Sequence, residues 1–183
     1  SALSTANSAT STANSANSMA STAKSTADSA NATASNAVNI ANGISVGGRN
    51  LLLNSADLTK WTPESDTTVK ADTDGYFKIS TTRNSSWWST EQDITLDAGS
   101  YTVSGYFKAG TKKGTFIILR FDNHAEIVKK LDVLGYFKHS FTISETTKVI
   151  VHIGLHPTAS GDYVYAKLFK LEKGNKATDW TPA

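Results

Sequence analysis

The sequence predicts a long α-helix with a coiled-coil seam, followed by an all-β sandwich of jelly-roll type. Three observations carry this. Alanine recurs in unbroken alternating steps of four and three residues from Ala2 to Ala41. Every Trp, Tyr and Phe lies after residue 48. From Arg49 onward, short β-rich runs are interrupted at regular intervals by Gly, Asn, Asp and Pro, the punctuation of a sandwich or barrel.

The seam comprises Ala2, Ala6, Ala9, Ala13, Ala16, Ala20, Ala23, Ala27, Ala30, Ala34, Ala37 and Ala41, with Ile44 taking the next step in the same register. Only Ala32 falls outside it. Steps of four and three average the period at which one stripe of a supercoiled helix keeps facing its partner. A linker selected merely for small polar residues would not hold that phase. The remaining positions are nearly all Ser, Thr and Asn, poor helix formers because their side chains compete for backbone hydrogen bonds. Alanine buries little area, so the seam is thin and the helix needs partners. Lys24 and Asp28 are the only charges in residues 1 to 48, and without flanking charge pairs to select a different partner, identical chains are favoured. The heptads leave two, three or four strands open. If continuous, the segment makes a rod of roughly 60 Å. Val38, Ile40 and Ile44 widen the apolar stripe just before "NG" and "GG" stop the helix. Residues 1–47 are thus expected to form a neck and residues 48–183 a head.

In the head the expected strands are "RNLLLN", "TTVKAD", "GYFKIST", "SWWST", "QDITLD", "SYTVSGYFKAG", "TFIILRFD", "YFKHSFTIS", "KVIVHIGLH" and "DYVYAKLFKLEKG", enough for two sheets. "HAEIVKKLDVLG" is ambiguous and is read as a strand or hairpin, and "GTKKG" as a hairpin turn. Successive side chains of a strand point to opposite faces. Tyr101, Val103 and Phe107 then face the core and Ser104, Tyr106 and Lys108 face out. Ile117, Leu119 and Phe121 face the core, with Phe116, Ile118, Arg120 and Asp122 opposite. Val149, Val151, Ile153 and Leu155 face the core, leaving Ile150, His152 and His156 outside.

Composition excludes several classes. A formal net charge of +2 with Lys and Arg dispersed among acids argues against a nucleic-acid surface. With no cysteine, neither a disulfide framework nor a thiolate metal site is available. No apolar run is long enough to span a membrane, so no membrane insertion is expected. A chain that begins with Ser and stops at "DWTPA" is expected to be a fragment.

Three blocks, "GRNLLLNS", "ITLDAGSYTVSGYFKAG" and "KLEKGNKATDWTPA", resemble the carbohydrate-binding-module-type jelly rolls of tail and baseplate proteins from siphophages of Gram-positive bacteria, the streptococcal and lactococcal ones above all. The resemblance covers residues 48 to 183, and "LEKGNKATDWTP" is its most specific part. It implies the neck and head of a homotrimeric receptor-binding protein at the tail tip or baseplate of a virion. The implied partners are bacterial cell-wall or capsular polysaccharide and other tail or baseplate proteins. It also implies binding without catalysis. "RNLLLN" and "DWTP" are framework in such sandwiches, which makes Trp61 and Trp180 structural. The alternative is an accessory module that caps the coil and fixes trimer register while another domain binds the host.

Binding residues do not transfer with the resemblance and are read from the chain. Adjacent tryptophans in a strand face opposite sides. Counting back from Ile94 and Leu96 puts Trp88 inside and Trp87 out, unless a bulge swaps them. An exposed indole stacks on a sugar ring while polar neighbours read its hydroxyls, and plain packing is the competing role for Trp87. Tyr106, Arg120, Asp122, His152 and His156 are expected to share one open face, either as saccharide contacts or as a solvated or inter-subunit surface. His152 and His156 lie about 13 Å apart along one strand, too far to share a metal. Asp162 and Tyr163, in and after the loop "HPTASGD", are further candidates. "DNHAE" defines no catalytic carboxylate pair. No cofactor is expected. A structural calcium bound by oxygen ligands is the one ion such sandwiches often hold, and no ligands for it stand out.

Overall fold

One helix, α1, runs unbroken from Ala2 to Gly43 in the computed structural model, which describes residues 1–44, 47–111, 114–121 and 123–183. The hydroxyls of Thr5, Thr10, Thr12, Thr22, Ser29 and Thr33 donate to carbonyls four residues back. In that way side chains that disfavour a helix are satisfied within it. Lys24 and Asp28 pair across one turn at 2.7 Å. The helix stops at Gly43, where Ile44 turns extended and its N–H donates to the Ala41 carbonyl at 3.2 Å. None of its side chains is buried within the chain.

The chain divides into two units, Ser1–Ile44 and Ser45–Ala183. Gly47 already belongs to the second: a Cβ there would fall 1.9 Å from the Lys173 carbonyl oxygen, so only glycine lets the backbone lie so close.

The second unit holds ten strands among the described residues: β1 (Thr62–Pro63), β2 (Thr67–Ala71), β3 (Phe77–Thr81), β4 (Trp88–Leu96), β5 (Gly99–Ala109), β6 (Thr115–Phe121), β7 (Glu126–Leu131), β8 (Gly135–Ile143), β9 (Thr147–Leu155) and β10 (Tyr163–Lys173). They form two five-stranded sheets, ordered β1-β4-β9-β6-β7 and β2-β3-β10-β5-β8, and every pairing is antiparallel. Within β3 to β10 the orders β3-β10-β5-β8 and β4-β9-β6-β7 are those of a jelly roll. The core lies between the sheets. Val149, Val151, Ile153 and Leu155 of β9 and Ile117 and Leu119 of β6 join Val103 and Phe107 of β5 and Val164, Ala166, Phe169 and Leu171 of β10. The expected inward sets on β5, β6 and β9 are the observed ones, with Phe121 packed at the margin.

Two expectations on elements change, and a third holds. "RNLLLN" is not a strand: Asn54 sits in the left-handed region (φ 54°), and the run meets β10 through the Leu51 N–H, which reaches Leu171 O at 2.7 Å, and the Asn50 side chain instead of a backbone ladder. "SWWST" and "QDITLD" are not separate, because β4 runs unbroken from Trp88 to Leu96, paired residue for residue with β9, and leaves Trp87 just before it. "HAEIVKKLDVLG" does contain a strand, β7, whereas the "GTKKG" turn falls partly outside the described residues.

The framework motifs form one buried polar clamp. Asn50 Nδ2 donates to Ser55 Oγ (2.7 Å) and to the carbonyls of Phe169 (3.0 Å) and Thr181 (3.1 Å), while its Oδ1 accepts from the N–H groups of Leu52 and Leu171. A bulge between Lys167 and Lys170, with Leu168 at φ 55°, resets the alternation of β10. Phe169 and Leu171 thereby stay in the core while Lys170 and Glu172, both fully buried, lie under residues 178 and 179. Trp180 donates its indole N–H to Phe169 O at 3.1 Å. Trp61 is buried in the core and donates to Leu53 O at 3.0 Å.

Candidate functional site

The outward face of the sheet β1-β4-β9-β6-β7 carries the chemistry. Pairing register sets Glu91, His152, Ile118 and Lys129 abreast on β4, β9, β6 and β7. The next row on one side is Ser89, Gly154, Phe116 and Leu131, and on the other Asp93, Ile150, Arg120 and Glu126. Gly154 contributes no side chain to this row, and the β4 backbone at Trp88 and Ser89 packs directly against it. A cleft of about 260 Å³ lies here, with Trp87, Phe116 and Ile118 as its apolar lining and Glu64, Ser89, Arg120, Glu126, Lys129 and His152 as its polar lining.

Trp87 stands at one wall with 40% of its surface exposed. Its ring is buttressed edge-on by Phe116 (centroids 5.2 Å, 82°) and His156 (4.7 Å, 66°), and Lys129 Nζ lies 5.6 Å from its centroid. An indole fixed on two sides and open on a third is a rigid apolar platform.

A polar chain crosses the floor. Glu64 Oε2 accepts from the Ser89 N–H (2.7 Å) and hydroxyl (3.0 Å), Ser89 Oγ lies 3.1 Å from His152 Nδ1, and the same nitrogen lies 3.2 Å from Glu91 Oε2. Since the Glu91 carboxylate can only accept, Nδ1 carries the proton and Nε2 presents a bare lone pair. His152 is only 3% exposed. Burial first, and then the Arg120 charge, lower its pKa from 6.5 to about 4, so the ring is neutral at pH 7. Burial, reinforced by Glu64 and Asp93, raises that of Glu91. His152 Nε2 and Arg120 Nε are both buried with no hydrogen-bond partner among the described residues. Leaving such groups unpaired is unfavourable by about 1–3 kcal/mol each.

Glu64, Glu91 and His152 also bring one potential metal-ligating atom each within 4.8 Å of one another. Arg120, near enough to shift the titration of both Glu91 and His152, opposes a cation there.

The structure gathers Trp87, Arg120, His152 and His156 at this site and separates the other candidates. His152 is buried rather than open, because Ser89 and Glu91 close over it. Trp88 is half-buried at the start of β4, donates to Ser85 O at 2.6 Å and lies under the Arg83 guanidinium, outside the cleft lining. Tyr106 is on the other sheet, its ring 5.0 Å from that of Tyr136. β5 and β6 lie in different sheets although consecutive in sequence, so an outward residue of β5 faces away from an outward residue of β6. Asp162 is a loop anchor: its carboxylate accepts from the N–H groups of Thr158 (2.9 Å) and Ala159 (3.0 Å) and from Thr111 Oγ1 (2.9 Å). Those bonds, the one from Thr158 foremost, lower its pKa. Tyr163 lies on β10 of the second sheet. Asp122 is outside the described residues.

Sequence reasoning missed Glu64, Ser89, Glu91 and Lys129. The count that placed Ile94 and Leu96 inward also turns Ser89 and Glu91 outward, so two of the four were within reach. Glu64 follows β1 in a loop, and no periodicity points to it.

No family model and no curated protein matches this chain. Carbohydrate-binding modules recur among the solved structures it resembles. It is similar to the CBM22-1 xylan-binding domain of Paenibacillus barcinonensis Xyn10C, with 12% identity and a TM-score of 0.49 over 73% of this chain and 99% of that one. It is similar to the enzymatically active domain of tailspike protein 4 of bacteriophage CBA120, with 10% identity and a TM-score of 0.49 over 67% of this chain and 21% of that one. It is also similar to a chain from the structure of accessory secretory protein 1,2 and 3 in Streptococcus pneumoniae, with 14% identity and a TM-score of 0.44 over 72% of this chain and 100% of that one.

Proposed function

We propose that the sandwich is a saccharide-binding head and that the Trp87 cleft is its site. The observation that carries this is the pair of buried, unpartnered groups on the floor, an acceptor at His152 Nε2 and a donor at Arg120 Nε, beside an exposed and buttressed indole. A sugar ring meets all three demands: its apolar face stacks on Trp87, one hydroxyl donates to His152, and an oxygen accepts from Arg120. In this reading the site binds without cleaving: Glu64 is held by Ser89, Glu91 by His152 and Glu126 by Lys129, each in a positioning bond.

In this reading the head belongs to a receptor-binding protein of a phage that infects Gram-positive bacteria. The alanine seam of α1 joins three copies into a stalk, and weak sites gain strength from being presented together. The resemblance of the terminal motifs and the fully exposed seam support this.

The test is a glycan array of streptococcal and lactococcal wall and capsular polysaccharides, followed by titration of the best binder. Binding is expected, weakened by about tenfold or more in Trp87→Ala, which corresponds to about 1.4 kcal/mol, with no reducing ends released. Absence of binding across the array, or full retention in Trp87→Ala, would refute the site. A solution mass of one chain instead of three would refute the stalk.

A further inference from the structure

The outward face of the second sheet carries a feature that the cleft does not use. Its exposed and half-buried strand positions hold five lysines, Lys70, Lys78, Lys108, Lys138 and Lys167, and no carboxylate; one acid, Asp72 just beyond β2, reaches the Tyr165 hydroxyl from the edge. Glu172, the one acid on this face of β10, is buried against Lys170 at 3.6 Å. None of the five forms an ion pair among the described residues.

Tyrosines interleave with these charges. Lys78 Nζ lies 3.8 Å from the ring centroid of Tyr163, Lys167 Nζ 4.0 Å from that of Tyr76, and Lys108 Nζ 5.2 Å and 5.5 Å from those of Tyr165 and Tyr76. The ammonium groups are thus held down on the rings by cation–π attraction. A ring cannot neutralise an ammonium as a carboxylate does. Lys167 also donates to the Asp74 carbonyl at 3.0 Å, which likewise leaves its charge uncompensated. Lys78, Tyr165 and Lys108 stand abreast on β3, β10 and β5, so the backbones of two lysines flank one tyrosine across about 10 Å, two strand spacings, with the Lys108 ammonium near the Tyr165 ring and that of Lys78 over Tyr163.

We infer that this face is a second binding surface, for a polysaccharide whose units carry carboxylates. Each unit of a polyuronate offers a ring edge and hydroxyls to tyrosine and a negative charge to lysine, in the alternation the face presents. A second copy of this chain is disfavoured, since a symmetric contact would bring the lysines against their own images. A nucleic acid fits less well: Tyr163 and Tyr165 meet edge-to-face at 77°, as do Tyr76 and Tyr165 at 70°, leaving no slot for a base between rings. The surface lies on the other sheet from the Trp87 cleft and does not depend on the cleft's occupant.

The experiment is native electrophoresis of the whole chain through gels containing polygalacturonate, hydroxyethyl cellulose or single-stranded DNA. Retardation by polygalacturonate alone is expected, fading as salt is raised. The triple variant Lys78→Gln, Lys108→Gln, Lys167→Gln should lose at least tenfold in affinity, the corresponding triple Lys→Arg variant should keep it, and Trp87→Ala should be unchanged. The Arg variant separates loss of charge from loss of fold. The inference is overturned if polygalacturonate causes no retardation, if the Gln variant binds as well as the parent, if Trp87→Ala loses binding equally, or if DNA is held as tightly as polygalacturonate.

Discussion

Replacing Glu172 by leucine measures what the terminal clamp contributes. Glu172 Oε1 accepts from the Thr178 N–H at 2.8 Å, and Oε2 accepts from Thr178 Oγ1 at 2.7 Å and from the Gly48 N–H at 2.8 Å, with Lys170 Nζ at 3.6 Å. Both charged side chains are fully buried. Glu172→Leu strands two backbone N–H groups and leaves an ammonium with only Thr178 Oγ1 and the Asp179 carbonyl for company. At about 1–3 kcal/mol per stranded donor and about 3–5 for breaking a buried pair, overlapping contributions, the expected loss is about 4 kcal/mol. Lys170→Met is milder, about 2 kcal/mol, because the carboxylate keeps its three donors and the exposed Asp179 carbonyl turns to water. The double variant should lose less than the sum, by at least about 1 kcal/mol, since neither charge is then left alone. Urea unfolding followed by tryptophan fluorescence reads this cleanly, as all four Trp lie in the sandwich and the helix is silent. A loss below about 1 kcal/mol for Glu172→Leu, or an equal loss for Lys170→Met, would refute the assignment of the carboxylate as the hub.

Two other outcomes follow from the site. A Cβ at Gly154 would fall 2.0 Å from the Trp88 carbonyl oxygen and 2.7 Å from Ser89 Cα, both backbone atoms. Gly154→Ala should therefore part β4 from β9 and lower stability by about 3 kcal/mol or more, whereas Gly105→Ala meets only the Phe169 ring at 2.9 Å and should cost less; equal midpoints for the two in urea would count against the packing described. His152 titrates at about 4 in the fold against 6.5 ordinarily, so between those values the unfolded chain binds a proton that the folded chain refuses. Its contribution is complete above pH 6.5 and lost as pH falls towards 4, by at most about 3 kcal/mol. Glu91, raised by burial, works in the opposite sense at the acid end and blunts the loss. Urea midpoints from pH 7.5 to 4.5 should fall more steeply for the parent than for His152→Gln, and parallel profiles would show that the ring is not held neutral.

Much of the architecture was legible because it rests on periodicity. The alanine seam identified α1 to its last turn, and alternation sorted β5, β6 and β9 into their inward and outward sets. The failures at "RNLLLN" and Tyr106 have different causes. In "RNLLLN" an apolar run imitates a strand, but Asn50 spends its side chain on bonds that a strand partner would otherwise make. The chain there forms a plug closing one end of the core, with Leu52 fully buried, and local pattern does not separate a plug from a strand.

Tyr106 failed for a topological reason that also governs both proposed surfaces. Alternation assigns a residue to the inner or outer side of its own strand, yet it does not say which sheet that strand joins. In a jelly roll the partners of a strand come from distant sequence: β9 lies between β4 and β6, and β10 between β3 and β5. The cleft is accordingly assembled from Glu64, Trp87, Ser89, Arg120, Lys129 and His152, no two of which form a recognisable motif. The same long-range pairing defeats the inference from dispersed charge. Lys70, Lys78, Lys108, Lys138 and Lys167 are scattered among acids along the chain, and a net charge of +2 suggests no basic surface. Once β2, β3, β10, β5 and β8 are laid side by side, period-two alternation brings all five to one face, while Asp72 and Asp74 sit in the loop after β2 and only Asp72 reaches in, to the Tyr165 hydroxyl. Charge on a β-sandwich therefore has to be counted by face, and counted that way this sandwich presents two chemically distinct sides, an indole cleft with a mixed polar floor and a cationic aromatic sheet.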